Sequence, residues 1–161
     1  MKILIVSDTH GWNENLLKTI ERVSPIDLLI HLGDFGSNVE YIRSIASCPL
    51  EIIPGNNDMF SRLSKEKLIK IGNYSVLLTH GHRYGVYNNT HLIKEAARSN
   101  KADIVMFGHT HQPMIDLSDS IWAINPGSIS LPRQGGRIPT FIIMDIDNNG
   151  KAHFTLNYYK K

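Results

Sequence analysis

Five short apolar runs constrain the fold of this chain more than any other feature of its sequence. Each run predicts a buried β-strand, and each is followed within a few residues by side chains that can bind a metal ion, usually beside a glycine. The runs are Ile3–Val6, Leu28–Leu32, Leu50–Ile53, Val76–Leu78 and Ile104–Phe107, and the segments after them are Ser7–His10, Gly33-Asp34, Gly55–Asp58, His80–His82 and Gly108–His111. Because ligands bind outside the carboxyl ends of the strands in open α/β sheets, we expect these segments to meet at one place.

Helical patterns lie between the runs. The first has apolar residues on one face, at Trp12, Leu16, Leu17, Ile20 and Val23, and we expect Trp12 and Leu16 in the core. A second helix is predicted to begin at Ser37, because Ser37 and Glu40 fit a capping box. A third is predicted from about Thr90 to Arg98, with inward positions at Leu92, Ile93, Ala96 and Ala97. Strands that alternate with helices indicate βαβ units and a parallel sheet in the first half of the chain.

Turn signals in the rest of the chain predict three antiparallel hairpins. They are centred on Gly72-Asn73, Ser118-Asp119 and Asn148–Gly150, each between two strand-like runs. The fold class is therefore α/β, with two mixed sheets packed face to face and helices outside. The length of 161 residues indicates a single domain, residues 1–161.

Composition narrows the class of protein. The formal net charge is +2 and no basic run concentrates it, so nothing favours a nucleic-acid or membrane-surface protein. The single cysteine, Cys48, cannot form an internal disulfide, and no run has the length of a signal peptide or a membrane span. We therefore expect a cytoplasmic protein with no membrane partner.

The side chains after the strands have the chemistry of a metal centre. Carboxylate, amide and imidazole donors without thiolate suit manganese, iron, zinc or nickel better than a structural zinc site. The pairs Asp8/His10 and His109/His111 are two residues apart, so on extended chain both members would leave the same face. The seven candidate ligands exceed the needs of one ion: Asp8, His10, Asp34, Asn56, His80, His109 and His111. Two divalent ions, two carboxylates and a hydroxide leave a net positive charge, which favours a phosphate ester as substrate.

These motifs carry a resemblance to a known family. The series Asp8-x-His10, Gly33-Asp34, Gly55-Asn56-x-Asp58, His80-Gly81-His82 and Gly108-His109-x-His111 resembles the calcineurin-like metallophosphoesterases. With Asn125-Pro126-Gly127-Ser128 and the short chain, it resembles the small phosphodiesterases of the YfcE type.

The resemblance implies a four-layer α/β/β/α sandwich with a dinuclear metal site, manganese being the first expectation and nickel, iron or zinc the others. It implies that Asp8, His10 and His111 hold one ion and that Asn56, His80 and His109 hold the other. Asp34 would bridge the two ions, and a hydroxide that bridges them would be the nucleophile. The resemblance also allows a homodimer.

One position departs from the family. Larger relatives have a histidine after the asparagine of Gly-Asn-x-Asp, credited with protonating the leaving group, but here the residue is Asn57. An amide can donate a hydrogen bond to a phosphoryl oxygen but cannot act as a general acid. Asn57 and His82 are therefore the candidate catalytic side chains, and Asp58 is expected to orient a metal ligand.

Other notable residues have simpler interpretations. His31 is expected in the core, and His91 and His153 on the surface. The segment 125–128 is expected to be a tight turn. Arg133 is expected to be an exposed loop residue, with the binding of a phosphate as its alternative role.

Two functions from different classes remain open. One is a metal-dependent phosphodiesterase that acts on a small-molecule diester, and the other is a non-catalytic protein-binding scaffold like the related retromer subunit. The complete set of candidate ligands favours the enzyme, and a nuclease is disfavoured because no basic groove with aromatic residues is evident. Substrate selectivity is expected to come from the loops at residues 58–66, 84–90 and 128–138.

Overall fold

The computed structural model describes residues 1–37 and 39–160. The strands are β1 (Lys2–Val6), β2 (Leu28–His31), β3 (Leu50–Ile52), β4 (Glu66–Ile71), β5 (Tyr74–Thr79), β6 (Ile104–Met106), β7 (Pro113–Asp116), β8 (Trp122–Pro126), β9 (Thr140–Ile146) and β10 (Ala152–Tyr158). The helices are α1 (Glu14–Val23), α2 (Val39–Ile45) and α3 (His91–Ser99), and a short 3₁₀ turn covers His82–Tyr84.

The strands form two five-stranded mixed sheets, with the orders β10-β9-β1-β2-β3 and β4-β5-β6-β8-β7. Strands β1, β2 and β3 are parallel, and so are β5, β6 and β8, whereas β9 and β4 pair antiparallel to their neighbours β1 and β5. All three predicted hairpins are confirmed, as β4–β5, β7–β8 and β9–β10. The carboxyl ends of the five predicted runs therefore lie at the ends of parallel strands.

The two sheets pack face to face, and the alternation of side chains along each strand determines the layers. Ile3 and Ile5 of β1 face the core between the sheets, where Val76 of β5 also lies. Leu4 and Val6 face the other way, toward helices α1 and α2. Helix α3 covers the outer face of the second sheet. The α/β/β/α sandwich predicted from the sequence is confirmed.

The helical predictions hold in outline and fail at particular positions. Leu16 is fully buried, but Trp12 precedes α1 and is 71% exposed, so its predicted place in the core is wrong. Leu92 is also wrong as an inward position, because α3 turns it to solvent while Ile93 and Ala97 pack on the sheet. Helix α2 is described from Val39, and residue 38, which follows the predicted start at Ser37, lies outside the described residues. None of the helices in the described residues is long and apolar enough to cross a membrane.

Candidate metal centre

The turns after the strands are built from unusual backbone conformations. Asp8, His10, Asp34, His109 and His111 all have positive φ, between 47° and 68°, although none is glycine. In that left-handed region a non-glycine residue is uncommon, and such residues concentrate at functional sites. The expectation that the two pairs leave one face of an extended chain is wrong, because each pair lies in a turn of left-handed residues.

Two glycines let the turns approach each other closely. Gly33 has a φ of +97°, and a Cβ there would lie 2.7 Å from both the Gly55 backbone nitrogen and His80 Nδ1. A Cβ on Gly55 would lie 2.1 Å from Asp34 Oδ1. The contact between the two turns therefore requires glycine on both sides.

Main-chain carbonyl groups determine which nitrogen of two histidines faces the centre. His80 Nδ1 lies 2.7 Å from the Leu32 oxygen, and His111 Nδ1 lies 2.6 Å from the Leu131 oxygen. Because a carbonyl oxygen can only accept, both Nδ1 atoms carry the proton and donate it. The Nε2 atom of each ring therefore turns toward the carboxylates, which is the arrangement of metal-binding histidines.

Four of the candidate ligands form one compact group. Asp8, His10, Asp34 and His111 each offer a donor atom, and these atoms lie within 4.8 Å of one another. His111 Nε2 lies 3.2 Å from Asp8 Oδ1 and 3.2 Å from His10 Nε2. His10 Nε2 lies 3.6 Å from Asp34 Oδ2. This spacing suits donors gathered around a cation.

His80 extends this group. Its Nε2 lies 3.5 Å from Asp34 Oδ2 and 4.0 Å from Asp8 Oδ1. His80 Nε2 and Asp8 Oδ1 are both buried and neither makes a hydrogen bond. Buried polar atoms without partners are costly, so these two atoms fit a centre that a metal ion completes.

The electrostatics agree with metal binding. Burial alone would raise the pKa of Asp8 and Asp34, but the nearby His111 and His80 and, for Asp34, the amide of Asn57 hold both pKa values below the ordinary range. Burial lowers the pKa of His10, and burial together with His80 lowers that of His109 to about 4. The carboxylates of Asp34 and Asp8 raise the pKa of His80 despite its burial, so this ring must lose its Nε2 proton when a cation binds, whereas the ionised carboxylates and the neutral His10 and His109 are already in the protonation states that bind divalent cations.

The remaining candidate ligands, His109 and Asn56, lie farther from this group. The His109 ring lies 5.2 Å from the His80 ring, and its backbone nitrogen donates to Asp8 Oδ2 at 3.1 Å. Asn56 is exposed, and among the described residues no hydrogen bond joins its side chain to the other six. It lines a cavity of about 240 Å³ together with His82 and Lys65. His82 is half-buried, and its ring lies 5.6 Å from that of His80.

Asn57 and Asp58 bind parts of the centre that the sequence did not indicate. The Asn57 side-chain amide donates to Asp34 Oδ2 at 2.6 Å, and its backbone nitrogen donates to Asp34 Oδ1 at 2.8 Å. The Asp58 carboxylate accepts from the backbone nitrogens of Phe35, Gly36 and Gly55. Asp58 therefore supports the turns that carry Asp34 and Asn56 through their backbones, and among the described residues no hydrogen bond joins it to a ligand side chain.

Three supporting residues complete the centre. Asn125 donates to the Gly108 oxygen and to Thr110 Oγ1, and it accepts from the Gly127 nitrogen. Ser128 Oγ donates to the Asp8 oxygen at 2.8 Å, so the segment 125–128 does lie at the site, although its first two residues end β8 and only the rest forms the predicted turn. The Tyr87 ring lies 5.0 Å from the His109 ring. Sequence reasoning missed Tyr87, because a tyrosine in a loop carries no pattern that marks it.

The residues given simpler interpretations behave mostly as expected. His31 is fully buried, accepts from the Gly33 nitrogen and contacts Thr9 Oγ1 at 3.2 Å. His91 is exposed, and His153 is exposed and lies 2.9 Å from Asp147. Arg133 is exposed, but it is held in place by contacts described below.

Comparison with known proteins agrees with the site. The calcineurin-like phosphoesterase superfamily domain matches residues 1–149. The probable metallophosphoesterase YsnB of Bacillus subtilis is 34% identical over 160 residues, which is 99% of this chain and 90% of that protein. Phosphodiesterase MJ0936 of Methanocaldococcus jannaschii is 32% identical over 165 residues, which is 91% of this chain and 94% of that protein.

A solved structure, Vps29 of Entamoeba histolytica in complex with zinc, superimposes with a TM-score of 0.77 at 20% identity. The superposition covers 98% of this chain and 99% of that one, so the fold is shared throughout. This chain belongs to the calcineurin-like phosphoesterase superfamily, as its motifs indicate, and that family implies divalent metal ions.

Proposed function

We propose that this protein is a metal-dependent phosphodiesterase with a dinuclear centre. Asp8, His10 and His111 would hold one ion, and Asn56, His80 and His109 the other, with Asp34 between them. When bound, two divalent ions supply a hydroxide nucleophile and stabilise the charge on the phosphoryl group. Manganese is the proposed metal, and nickel, iron and zinc are the alternatives that metal analysis separates.

One observation carries the proposal. The lone pairs of His80 Nε2 and His111 Nε2 face the carboxylates of Asp8 and Asp34 at 3.2 to 4.0 Å. Because a carbonyl group accepts the Nδ1 proton of each ring, a neutral ring would direct its Nε2 lone pair toward these oxygens, and a divalent cation between them would bind both kinds of donor. The family match and the relative named as a phosphodiesterase support the same conclusion.

The chain's own residues then position the ester. The amide of Asn57, already directed at Asp34, would donate to an oxygen of the phosphoryl group or leaving group. It cannot supply a proton to that oxygen. We therefore expect esters with poor leaving groups to react slowly. Rates on diesters of rising leaving-group pKa measure this, and a flat dependence would contradict the role given to Asn57.

The principal test is hydrolysis of bis-p-nitrophenyl phosphate with and without Mn²⁺. We expect metal-dependent activity, loss of at least about a hundredfold in Asp34→Asn and His80→Ala, and no change in the matched control His153→Ala, whose ring is exposed. Comparison with p-nitrophenyl phosphate separates diesterase from monoesterase. If neither metal nor the two site variants change the rate, the enzyme is excluded.

The scaffold alternative remains a distinct outcome. The likeness to Vps29 concerns the fold alone, because the identity is only 20%. A scaffold needs no metal ligands, whereas this chain has a candidate donor at every expected position. Tight metal binding without hydrolysis of any diester would favour the scaffold over the enzyme.

A further inference from the structure

Two loops bring a tyrosine and an arginine together beside the candidate centre. Tyr87 lies in the loop before α3, and Arg133 lies in the loop between β8 and β9. One guanidinium nitrogen, Nη1 of Arg133, donates to the Tyr87 hydroxyl at 2.6 Å. The two residues are 46 positions apart in the chain, so only the fold makes this contact.

Both residues are anchored on candidate metal ligands. The Tyr87 hydroxyl donates to the His109 backbone oxygen at 3.0 Å, and its ring packs edge-on against the His109 ring. The backbone nitrogen of Arg133 donates to the His111 oxygen at 3.0 Å. The backbone of Arg133 is therefore fixed on the His111 turn, and its guanidinium is connected to the His109 turn through the Tyr87 hydroxyl.

Most of the N–H donors of the Arg133 guanidinium have no recorded partner among the described residues. A guanidinium carries five N–H donors, and among the described residues Tyr87 is its one recorded side-chain partner. No carboxylate of the described residues lies within ion-pair distance of the guanidinium. An arginine that is fixed in direction but not neutralised is suited to bind an anionic group, and its planar fork matches phosphate oxygens.

We propose that Arg133, oriented by Tyr87, binds a second anionic group on the substrate, so that the preferred substrate is a phosphodiester whose alcohol carries another phosphate. This rests on the proposed phosphodiesterase function. The reacting phosphoryl group would lie against Asp8 and His111, which are 0% and 2% exposed, whereas Arg133 is exposed at the edge. Arg133 is therefore placed for a group outside the reacting one, and it acts as a specificity residue.

A matched pair of chromogenic diesters tests the proposal. One is the p-nitrophenyl ester of thymidine 5′-phosphate, and the other is the same ester with a 3′-phosphate. With Mn²⁺ present we expect the 3′-phosphorylated ester to have a KM about tenfold lower and a similar kcat, the order of magnitude for one charge-assisted contact.

Variants separate orientation from charge. Arg133→Gln is expected to abolish the preference, and Arg133→Lys to restore part of it. Tyr87→Phe keeps the ring on His109 but removes the hydroxyl, and we expect it to reduce the preference about threefold without lowering the thermal midpoint. Arg137→Gln is the control, since it removes an exposed arginine from the same loop and should leave the preference unchanged.

Equilibrium binding gives a second readout that does not depend on turnover. Thymidine 3′,5′-bisphosphate and thymidine 5′-phosphate are titrated into the protein by calorimetry, and we expect the bisphosphate to bind more tightly in the wild type but not in Arg133→Gln. If neither ester is hydrolysed, the proposed phosphodiesterase fails. If both are hydrolysed with the same KM, or Arg133→Gln keeps the preference, the role of Arg133 alone is refuted.

Discussion

Ser128→Ala should weaken both the fold and the metal centre, because one buried hydroxyl joins two candidate ligands. Ser128 Oγ donates to the Asp8 oxygen at 2.8 Å and accepts from the backbone nitrogens of Leu131 and Ser130 at 2.7 and 3.1 Å. The Leu131 oxygen in turn accepts the hydrogen bond from His111 Nδ1 that orients the ring. Loss of the hydroxyl therefore affects the turns of both Asp8 and His111.

The magnitude follows from these three hydrogen bonds. Ser128 is fully buried, and alanine removes only the oxygen, so the packing term is small. Three hydrogen bonds at about 1 kcal/mol each predict a loss of about 3 kcal/mol in the free energy of unfolding. For a chain of this size that lowers the thermal midpoint by roughly 6–12 °C. We also expect the Kd for Mn²⁺ to rise about tenfold, as is typical when the support of a metal ligand is removed.

Urea unfolding of the metal-free protein and calorimetric titration with Mn²⁺ measure the two effects separately. Ser44→Ala is the control, because Ser44 is exposed and, within the described part of the chain, the one hydrogen bond recorded for its hydroxyl goes to the Tyr41 oxygen of its own helix. We expect the control to stay within about 0.5 kcal/mol of the wild type. A Ser128→Ala variant that is no less stable than Ser44→Ala and binds Mn²⁺ as the wild type does would refute the reasoning.

Two further substitutions test other parts of the molecule. Gly55→Ala would bring a Cβ to 2.1 Å from Asp34 Oδ1, so we expect it to lower Mn²⁺ affinity by on the order of tenfold. Gly135→Ala is the control, because a Cβ there meets nothing within 4 Å. Equal Mn²⁺ affinities of the two variants by calorimetry would contradict the close approach. The ion pair with Lys94 lowers the pKa of Asp116 to about 2. The stabilisation by the ion pair is therefore present above pH 3.8 and lost as the pH falls toward 2. The wild type should exceed Asp116→Asn in the free energy of unfolding by about 1 kcal/mol for this partly exposed pair, and the difference should shrink over that pH range. A difference that stays constant with pH would exclude the ion pair as its cause.

The layers and the meeting point of the strand ends could be predicted because they depend on short-range patterns. Apolar runs of the right length, turn residues between them and the order of strands and helices are all visible in the chain. The position of the centre at the carboxyl ends of β1, β2, β5 and β6 follows from the direction of parallel strands.

The details of the centre could not be predicted, because they depend on contacts between distant turns. Nothing in the sequence shows that Asn57 reaches Asp34 or that the Asp58 carboxylate joins two backbones, since both depend on how two turns pack. Trp12 was misplaced for a related reason: its spacing fits the face of α1, but the helix begins only at Glu14. Periodicity describes residues inside a helix and says nothing of those before its first turn.

The left-handed backbone at five candidate ligands lowers the stability of the fold. Each of these residues stores about 1 kcal/mol of strain, and together they approach the lower end of the stability of a typical domain. Glycine at any of the five would relax the turn and abolish a metal ligand in the same step. Each such glycine variant is therefore expected to be more stable in the metal-free state and to bind metal less tightly. The five turns hold donor atoms in place at the expense of the stability of the fold.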